Sequence, residues 1–135
     1  MLKKKRRNKT ERRGVAVAEL AVCLPLLVLL CFGTIEASGM FFLKQSLSIA
    51  SYEAARVSLI PEITTDDAKY QAELILANRR VVDFSVTVTP DVESAAVGDF
   101  IAVTTSAPCD SNSIIGSFFF GGRQLESTVA MRKEY

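Results

Sequence analysis

The sequence predicts an α+β protein with a long N-terminal transmembrane helix that extends out of the membrane, a second helix and a small antiparallel sheet of about three strands. Three observations support this prediction. One apolar run near the N-terminus is long enough to cross a bilayer, helical spacing continues beyond it, and short alternating segments follow. The predicted organisation is a basic leader at 1–14, a transmembrane and extended helix at 15–60, and a small extracytoplasmic domain at 61–135.

The apolar run at 14–35 holds 22 residues and a single charged side chain, Glu19. As a helix it would rise about 33 Å, enough to cross a hydrocarbon core of about 30 Å. Residues 1–13 carry eight Lys or Arg and one acid, whereas the rest of the chain carries eight basic and fourteen acidic groups. Since basic flanks stay in the cytoplasm, we expect a single-pass membrane protein with its N-terminus cytoplasmic and its C-terminal part outside.

Helical spacing continues over residues 36–60 and ends before Pro61, because the residue before a proline is pushed out of the helical region. Apolar residues recur there at steps of three and four. Small residues on the same segment would let another helix approach closely, inside or beside a membrane. The apolar positions are Met40, Leu43, Leu47, Ala50, Ala54 and Val57, and the small ones include Ser38, Gly39, Ser46, Ser48, Ser51 and Ala55.

A second helix is expected after Pro61. Thr64 or Thr65 would cap it, and its apolar side would hold Tyr70, Leu74 and Ala77. Asp66 and Asp67 fall in its first turn, where the helix dipole favours negative charge.

Three strands are expected beyond this helix. The alternating segments 82–88 and 100–106 would pair antiparallel, since turn signals separate them. The segment between the second and third strands is predicted to be irregular, with Phe118, Phe119 and Phe120 filling a small core. The third strand would place four residues on one face: Leu125, Ser127, Val129 and Met131.

Composition excludes several kinds of chemistry. Histidine is absent, and the three cysteines show no metal-ligand spacing. The first fact removes the commonest general base and zinc ligand, and an odd cysteine count argues against a disulfide framework. We therefore expect no enzymatic activity, no cofactor, no metal and no small-molecule substrate. Nucleic-acid binding by the basic segment 1–13 is not expected either, because an apolar span follows it at once.

Glu19 is a candidate functional residue, because an ionisable group inside a membrane span is costly. The alternative is that it lies shallow enough to reach the headgroups. The residues before it, Arg12-Arg13-Gly14 followed by VAVAE, resemble a type IV prepilin cleavage site. That resemblance implies cleavage between Gly14 and Val15 by a prepilin peptidase. Glu19 would then be the fifth mature residue and could pair with a neighbouring subunit.

A longer pattern covers residues 12–56. The segment FGTIEASGMFFLKQSLSIASYEAAR has a glycine and a glutamate at the end of the span, an aromatic pair, a glutamine and an alanine-rich stretch. This pattern resembles the TadE-like family, minor pseudopilins of the Tad (tight adherence, Flp type IVb) pilus assembly system. Two glycines usual in that family are replaced by Ser38 and Ala54, and its usual aromatic by Ala37. The matching positions are Gly33, Glu36, Phe41, Phe42, Gln45 and 50–56, and the chain's end at 130–134 also resembles the family's closing strand.

The resemblance implies a structural function, as a minor pilin-like subunit of a Tad-type pilus assembly or secretion apparatus. Its partners would be the lipid bilayer, the prepilin peptidase, other pilins and Tad assembly components. It would reside in the inner (cytoplasmic) membrane, with a periplasmic or extracellular C-terminal domain, or in the pilus. The residues implied in assembly are Glu19, Glu36, Gln45, Glu53 and Arg56. For Glu53 and Arg56, three residues apart, a plain surface ion pair is the alternative.

Two other functions are left open by the sequence. Residues 1–39 could act as a signal peptide or signal anchor, since 37–39 offers small residues to a signal peptidase. The product would be a secreted or membrane-anchored envelope protein, and an N-terminus at Met40 rather than Val15 would reveal it. A single-span anchor carrying an enzyme domain is opposed by the missing histidine and the lack of a catalytic motif.

Overall fold

The computed structural model describes residues 9–116 and 118–134 and confirms the predicted α+β fold class. The chain divides into two compact units, one ending at Ile35 and the other beginning at Glu36. The three strands form one antiparallel sheet in the order β1-β2-β3. The elements are α1 at Lys9–Val57, α2 at Thr65–Asn78, β1 at Ser85–Thr89, β2 at Phe100–Pro108, α3 at Cys109–Asn112 and β3 at Gln124–Arg132.

The first unit consists of the apolar part of α1. Its mean hydropathy reaches 2.7, and none of the residues in its most apolar stretch is buried. Val22 is 78% exposed, and even Val28 is 42% exposed. A helix that is apolar on every side is suited to lipid, because no described residue of this unit covers it from water. Pro25 lies inside this helix.

The second unit has a core to which both the later part of α1 and the sheet contribute. The predicted apolar face of α1 is confirmed from Met40 to Ala54, whereas Val57 is half-buried at the end of the helix. The hydroxyl of Thr105 on β2 donates a 2.9 Å hydrogen bond to the Leu47 carbonyl of α1. The fully buried positions of this core include Leu47, Ala50, Ala54, Ala55, Ala68, Ala72, Leu76, Ile101, Val103 and Ala107.

Part of the small-residue surface of α1, which was expected to let another helix approach, is used within this chain, although Ser38 and Ser48 are exposed. Ser46, Ser51, Ala54 and Ala55 are buried inside this chain's own second unit. The Ser51 hydroxyl donates to the Ser127 hydroxyl of β3 over 3.2 Å. Small side chains thus let the helix lie close to its own sheet.

The buried face of α2 differs from the prediction. Tyr70 is 64% exposed and Leu74 is 42% exposed, and Ala77 is exposed too. A capping box between Thr64 and Asp67 determines where the helix begins. From that start, the side turned to the core carries Thr65, Ala68, Ala72 and Leu76.

The first strand begins later than predicted. Arg80 and Asp83 have φ values of 58° and 55°, so the backbone turns twice before β1 starts at Ser85. Val82 lies outside the strand, where its N–H donates to the Asn112 side chain over 2.9 Å. The inward positions Val86 and Val88 agree with the predicted alternation.

The second and third strands are confirmed, with a register that runs from Phe100 opposite Arg132 to Pro108 opposite Gln124. The predicted inward face of β3, from Leu125 to Met131, is half-buried at alternate positions. The prediction for the three phenylalanines was wrong for Phe118, which is 82% exposed. Only Phe120 of the three packs against the core cluster.

Candidate functional site

The residues implied in processing lie on the exposed first unit. Gly14, Val15 and Glu19 are all exposed, with Val15 at 58%. A Cβ added to Gly14 would meet no atom within 4 Å. Packing inside this chain therefore does not require a glycine there.

Glu36 lies at the start of the second unit, and its side chain is completely buried. Its Oε2 accepts hydrogen bonds from the backbone N–H groups of Ile114 (3.2 Å) and Ile115 (3.1 Å). The Ser113 side chain adds a further polar contact to the carboxylate. A buried carboxylate is tolerated only when such donors replace water, so this contact binds residues 113–116, here called the 113–116 loop, to α1.

The second oxygen of this carboxylate, Oε1, differs from Oε2 in its hydrogen bonding. Among the residues that the structure describes, Glu36 Oε1 has no hydrogen-bond partner. A buried acceptor without a donor is costly, and such an atom in a native structure calls for an explanation. A donor supplied by another molecule would satisfy it.

Gly39, one helical turn beyond Glu36, lies against the same loop. A Cβ at this position would come within 2.9 Å of the Ile114 Cδ1 atom. The missing side chain therefore gives Ile114 its place over the helix. Both residues position the loop. Glu36 does so through hydrogen bonds, and Gly39 does so because its missing side chain leaves room for Ile114.

The remaining predicted assembly residues are not brought together with Glu36. Gln45 is exposed while Glu36 is buried. Glu53 and Arg56 form an ion pair at 3.7 Å, with 66% of the Arg56 side chain exposed. Such a pair contributes little to stability, which agrees with the surface alternative and leaves an assembly contact as a prediction.

Four large apolar side chains around the 113–116 loop are exposed. Beside them, a groove of about 300 Å³ is lined by apolar residues of α1 and β3 together with Lys44 and Phe120. Several large apolar side chains exposed near one loop mark an interaction site more often than a single exposed residue does. We call these four residues the apolar rim: Phe41 (79% exposed), Ile114 (64%), Ile115 (40%) and Phe118 (82%).

A second cleft, of about 560 Å³, lies beside the start of α2. There Thr65 donates to Glu93 twice, from its N–H over 2.9 Å and from its hydroxyl over 2.5 Å. These two bonds lower the pKa of the Glu93 carboxyl below its usual value. Lys133 is engaged as well, since its Nζ donates to the carbonyls of Val92 and Ala95 over 3.0 Å. Glu93 and Lys133 of this cleft are thus engaged in contacts within the second unit.

Two observations bear on cysteine and metal chemistry in the described residues. Burial raises the pKa of the Cys109 thiol, which makes it a poor nucleophile. Within the described part of the chain, no three His, Cys, Asp or Glu side chains lie close enough to hold a metal ion.

Fold and site together define a class of protein. One N-terminal helix is apolar and long enough to cross a membrane, and a small α+β unit includes the remainder of that helix, which is the architecture expected of a single-pass membrane protein. Residues 14–56 match the family model described as TadE-like protein, so the expected resemblance is confirmed over this segment. Comparison with curated proteins and with solved structures gave no significant match.

Proposed function

We propose that this protein is a minor pilin or pseudopilin, a structural subunit of a Tad (tight adherence, Flp type IVb) pilus assembly or secretion apparatus. The observation that carries the proposal is the family match over 14–56, which spans both the lipid-suited part of α1 and the part buried in the second unit. The basic leader remains in the cytoplasm, and the second unit lies on the other side of the inner membrane.

Processing at Gly14 is the first step of the proposed function. A prepilin peptidase cleaves the bond to Val15, which removes the basic leader and leaves an α-amino group at the membrane edge. The exposure of Gly14 and the open space around it support recognition by another protein, because no intramolecular contact demands a glycine. Glu19 then provides a carboxylate for the α-amino group of a neighbouring subunit, since a charge in lipid is tolerable when paired.

Mass spectrometry of the membrane-extracted protein tests this proposal. In cells that carry the peptidase, we expect a mature N-terminus at Val15, and in cells that lack it an intact leader. Gly14→Val provides the matched control, because it should block cleavage while membrane insertion continues. An intact Met1 N-terminus in peptidase-containing cells would contradict the proposed processing.

The signal-peptide alternative has a structural cost. Cleavage after residue 39 would remove Glu36 and Gly39, which hold the 113–116 loop. The Ile114 and Ile115 N–H groups would lose their acceptor. A mature N-terminus at Met40 would nevertheless establish this alternative and exclude the pilin-like one.

A further inference from the structure

The apolar rim lies on a part of the second unit that the chain reaches directly after its apolar helix. Ile114 and Ile115 hydrogen-bond to Glu36, which follows Ile35, the last residue of the first unit. Phe41 stands on α1 just five residues beyond Glu36. The rim thus combines two separate elements, helix and loop, at the point where the helix leaves its lipid-suited segment.

The apolar side chains of the rim are exposed rather than packed inside the second unit. Gly116, with φ of 111°, turns the backbone between the isoleucines and Phe118. Phe118 remains 82% exposed although its ring meets that of Phe119 edge-on at 5.1 Å. Exposed side chains of this size are unfavourable in water and need another environment.

Two basic groups lie close to the groove beside the rim. Lys44 lines the groove that Phe41 borders, and its Nζ donates to the Glu126 carbonyl. The Arg123 guanidinium lies 6.0 Å from the centre of the ring of Phe120, which also lines the groove. Two acids near the loop are already engaged, since Glu36 accepts two N–H groups and Asp110 accepts the N–H of Gly122. Apolar side chains with cations close by match a bilayer surface, where phosphates lie just above the acyl chains.

We propose that the apolar rim inserts into the headgroup region of the bilayer that α1 spans, on the side where the second unit lies. The Glu36 contact sets the depth of the loop, and Phe41, Ile115 and Phe118 enter the lipid, while Lys44 and Arg123 meet phosphates. This inference rests on the membrane-spanning part of the proposed function and not on processing or pilus assembly.

Fluorescence offers a direct test, because the chain contains no tryptophan. The full-length Phe118→Trp variant is reconstituted in phosphatidylcholine–phosphatidylglycerol vesicles, with or without doxyl groups on the upper acyl chain. Phe41→Trp is a second reporter on a different element. Phe100→Trp is the control, since Phe100 is 64% exposed and lies at the far end of β2, about 26 Å along the strand from Pro108.

We expect blue-shifted emission and several-fold stronger doxyl quenching at positions 118 and 41 than at position 100. Equal, weak quenching at all three positions would overturn the proposal. A blue shift at 118 without lipid quenching would also overturn it, since a second protein would then cover the rim. Flotation of the vesicles separates the two claims: protein that does not float contradicts the membrane-spanning function, whereas floating protein with unquenched indoles contradicts only the rim.

Discussion

Glu19 and Glu36 occupy opposite environments on the same helix. Glu19 is exposed on a segment suited to lipid, and Glu36 is buried in the second unit with two backbone donors on its Oε2. The first carboxylate therefore lacks a structural reason within this chain, while the second has one. Different consequences follow from removing each.

Replacing Glu36 by Ala should destabilise the second unit by about 1–3 kcal/mol, because two buried N–H groups lose their acceptor. The loss should appear in urea unfolding of the detergent-solubilised protein. Amide hydrogen exchange should also speed up at Ile114 and Ile115. Glu73→Ala, an exposed position on α2, is the control and should change neither measurement.

Replacing Glu19 by Ala should leave membrane insertion intact and reduce incorporation into the pilus apparatus. Insertion becomes easier when the charge is lost, whereas the proposed pairing with a neighbouring α-amino group disappears. Co-purification with other pilins measures this incorporation. The Glu19→Asp variant, which keeps the charge, should retain part of the co-purification. Normal co-purification of Glu19→Ala would remove Glu19 from the proposed mechanism.

Sequence reasoning reached Glu36 through the family resemblance, yet its partners could not be predicted. Ile114 and Ile115 lie 78 and 79 residues away along the chain, and no local pattern encodes such a pairing. Gly39 carried a weak signal, as a glycine inside a helix usually has a packing reason. Which side chain would use that space could not be read from the sequence.

At the scale of elements, α2 shows that the residue at which a helix begins can determine which of its side chains face the core. The capping box at Thr64 and the bonds from Thr65 to Glu93 determine the start, and Val92 N–H donates to the Thr65 hydroxyl over 2.8 Å. Alanines then occupy the core side. The sequence analysis chose Tyr70, Leu74 and Ala77 from their helical spacing, but the side that packs on the core carries two alanines, Ala68 and Ala72, with Leu76.

The Glu93 contact predicts a dependence of stability on pH. Its folded-state pKa is lowered below the ordinary 4.5, mainly by the Thr65 hydroxyl, so the contact stabilises the fold above that value and is lost as pH falls through the lowered pKa. Glu93→Gln should therefore lower the melting temperature near neutral pH.

In strongly acidic solution, the melting temperature of Glu93→Gln should approach that of the native protein, because the native Glu93 is then protonated and both side chains at this position are uncharged. The pKa of Asp67 is lowered as well, mainly by the Thr64 hydroxyl. Asp67 is present in both proteins, so its titration affects both melting temperatures. Thermal melts across the acid range provide the measurement. A constant difference at every pH would show that the charge of Glu93 is irrelevant.

Strands were predicted best where one face of the strand is exposed to solvent and the other is packed against the core. The alternation from Leu125 to Met131 in β3 is clear, because four of the five outward positions are polar: Gln124, Glu126, Thr128 and Arg132. The start of β1 was placed too early, since the positive φ of Arg80 and Asp83 left no signal in a run of valine and phenylalanine.

For the whole molecule, the decisive fact is that α1 supplies a large share of the second unit's core. Leu43 is 2% exposed and Leu47 is fully buried, in one cluster with the sheet residues Ile101 and Val103. Truncating a buried leucine costs about 2–5 kcal/mol, against a total stability of about 5–15 kcal/mol for a typical domain. The segment 61–135 therefore lacks much of its own core.

A fragment comparison tests this sharing and, with it, the predicted boundary at 61. We expect residues 36–135 to fold with a cooperative urea transition in mild detergent, which shields the apolar rim. Residues 61–135 should give no cooperative transition. A folded 61–135 fragment would show that α1 is dispensable to the core. Leu47→Ala in the 36–135 fragment is the graded control and should shift the midpoint without abolishing it.

The hydrogen bond between Ser51 and Ser127 joins residues 76 positions apart. At a synthesis rate of about 5–20 residues per second, roughly 4–15 seconds pass between the emergence of these two partners. Throughout that interval the sheet that covers the inward side of α1 is incomplete, because β3 is the last of its strands to be made. A newly made chain thus keeps part of its core exposed until its last strand arrives.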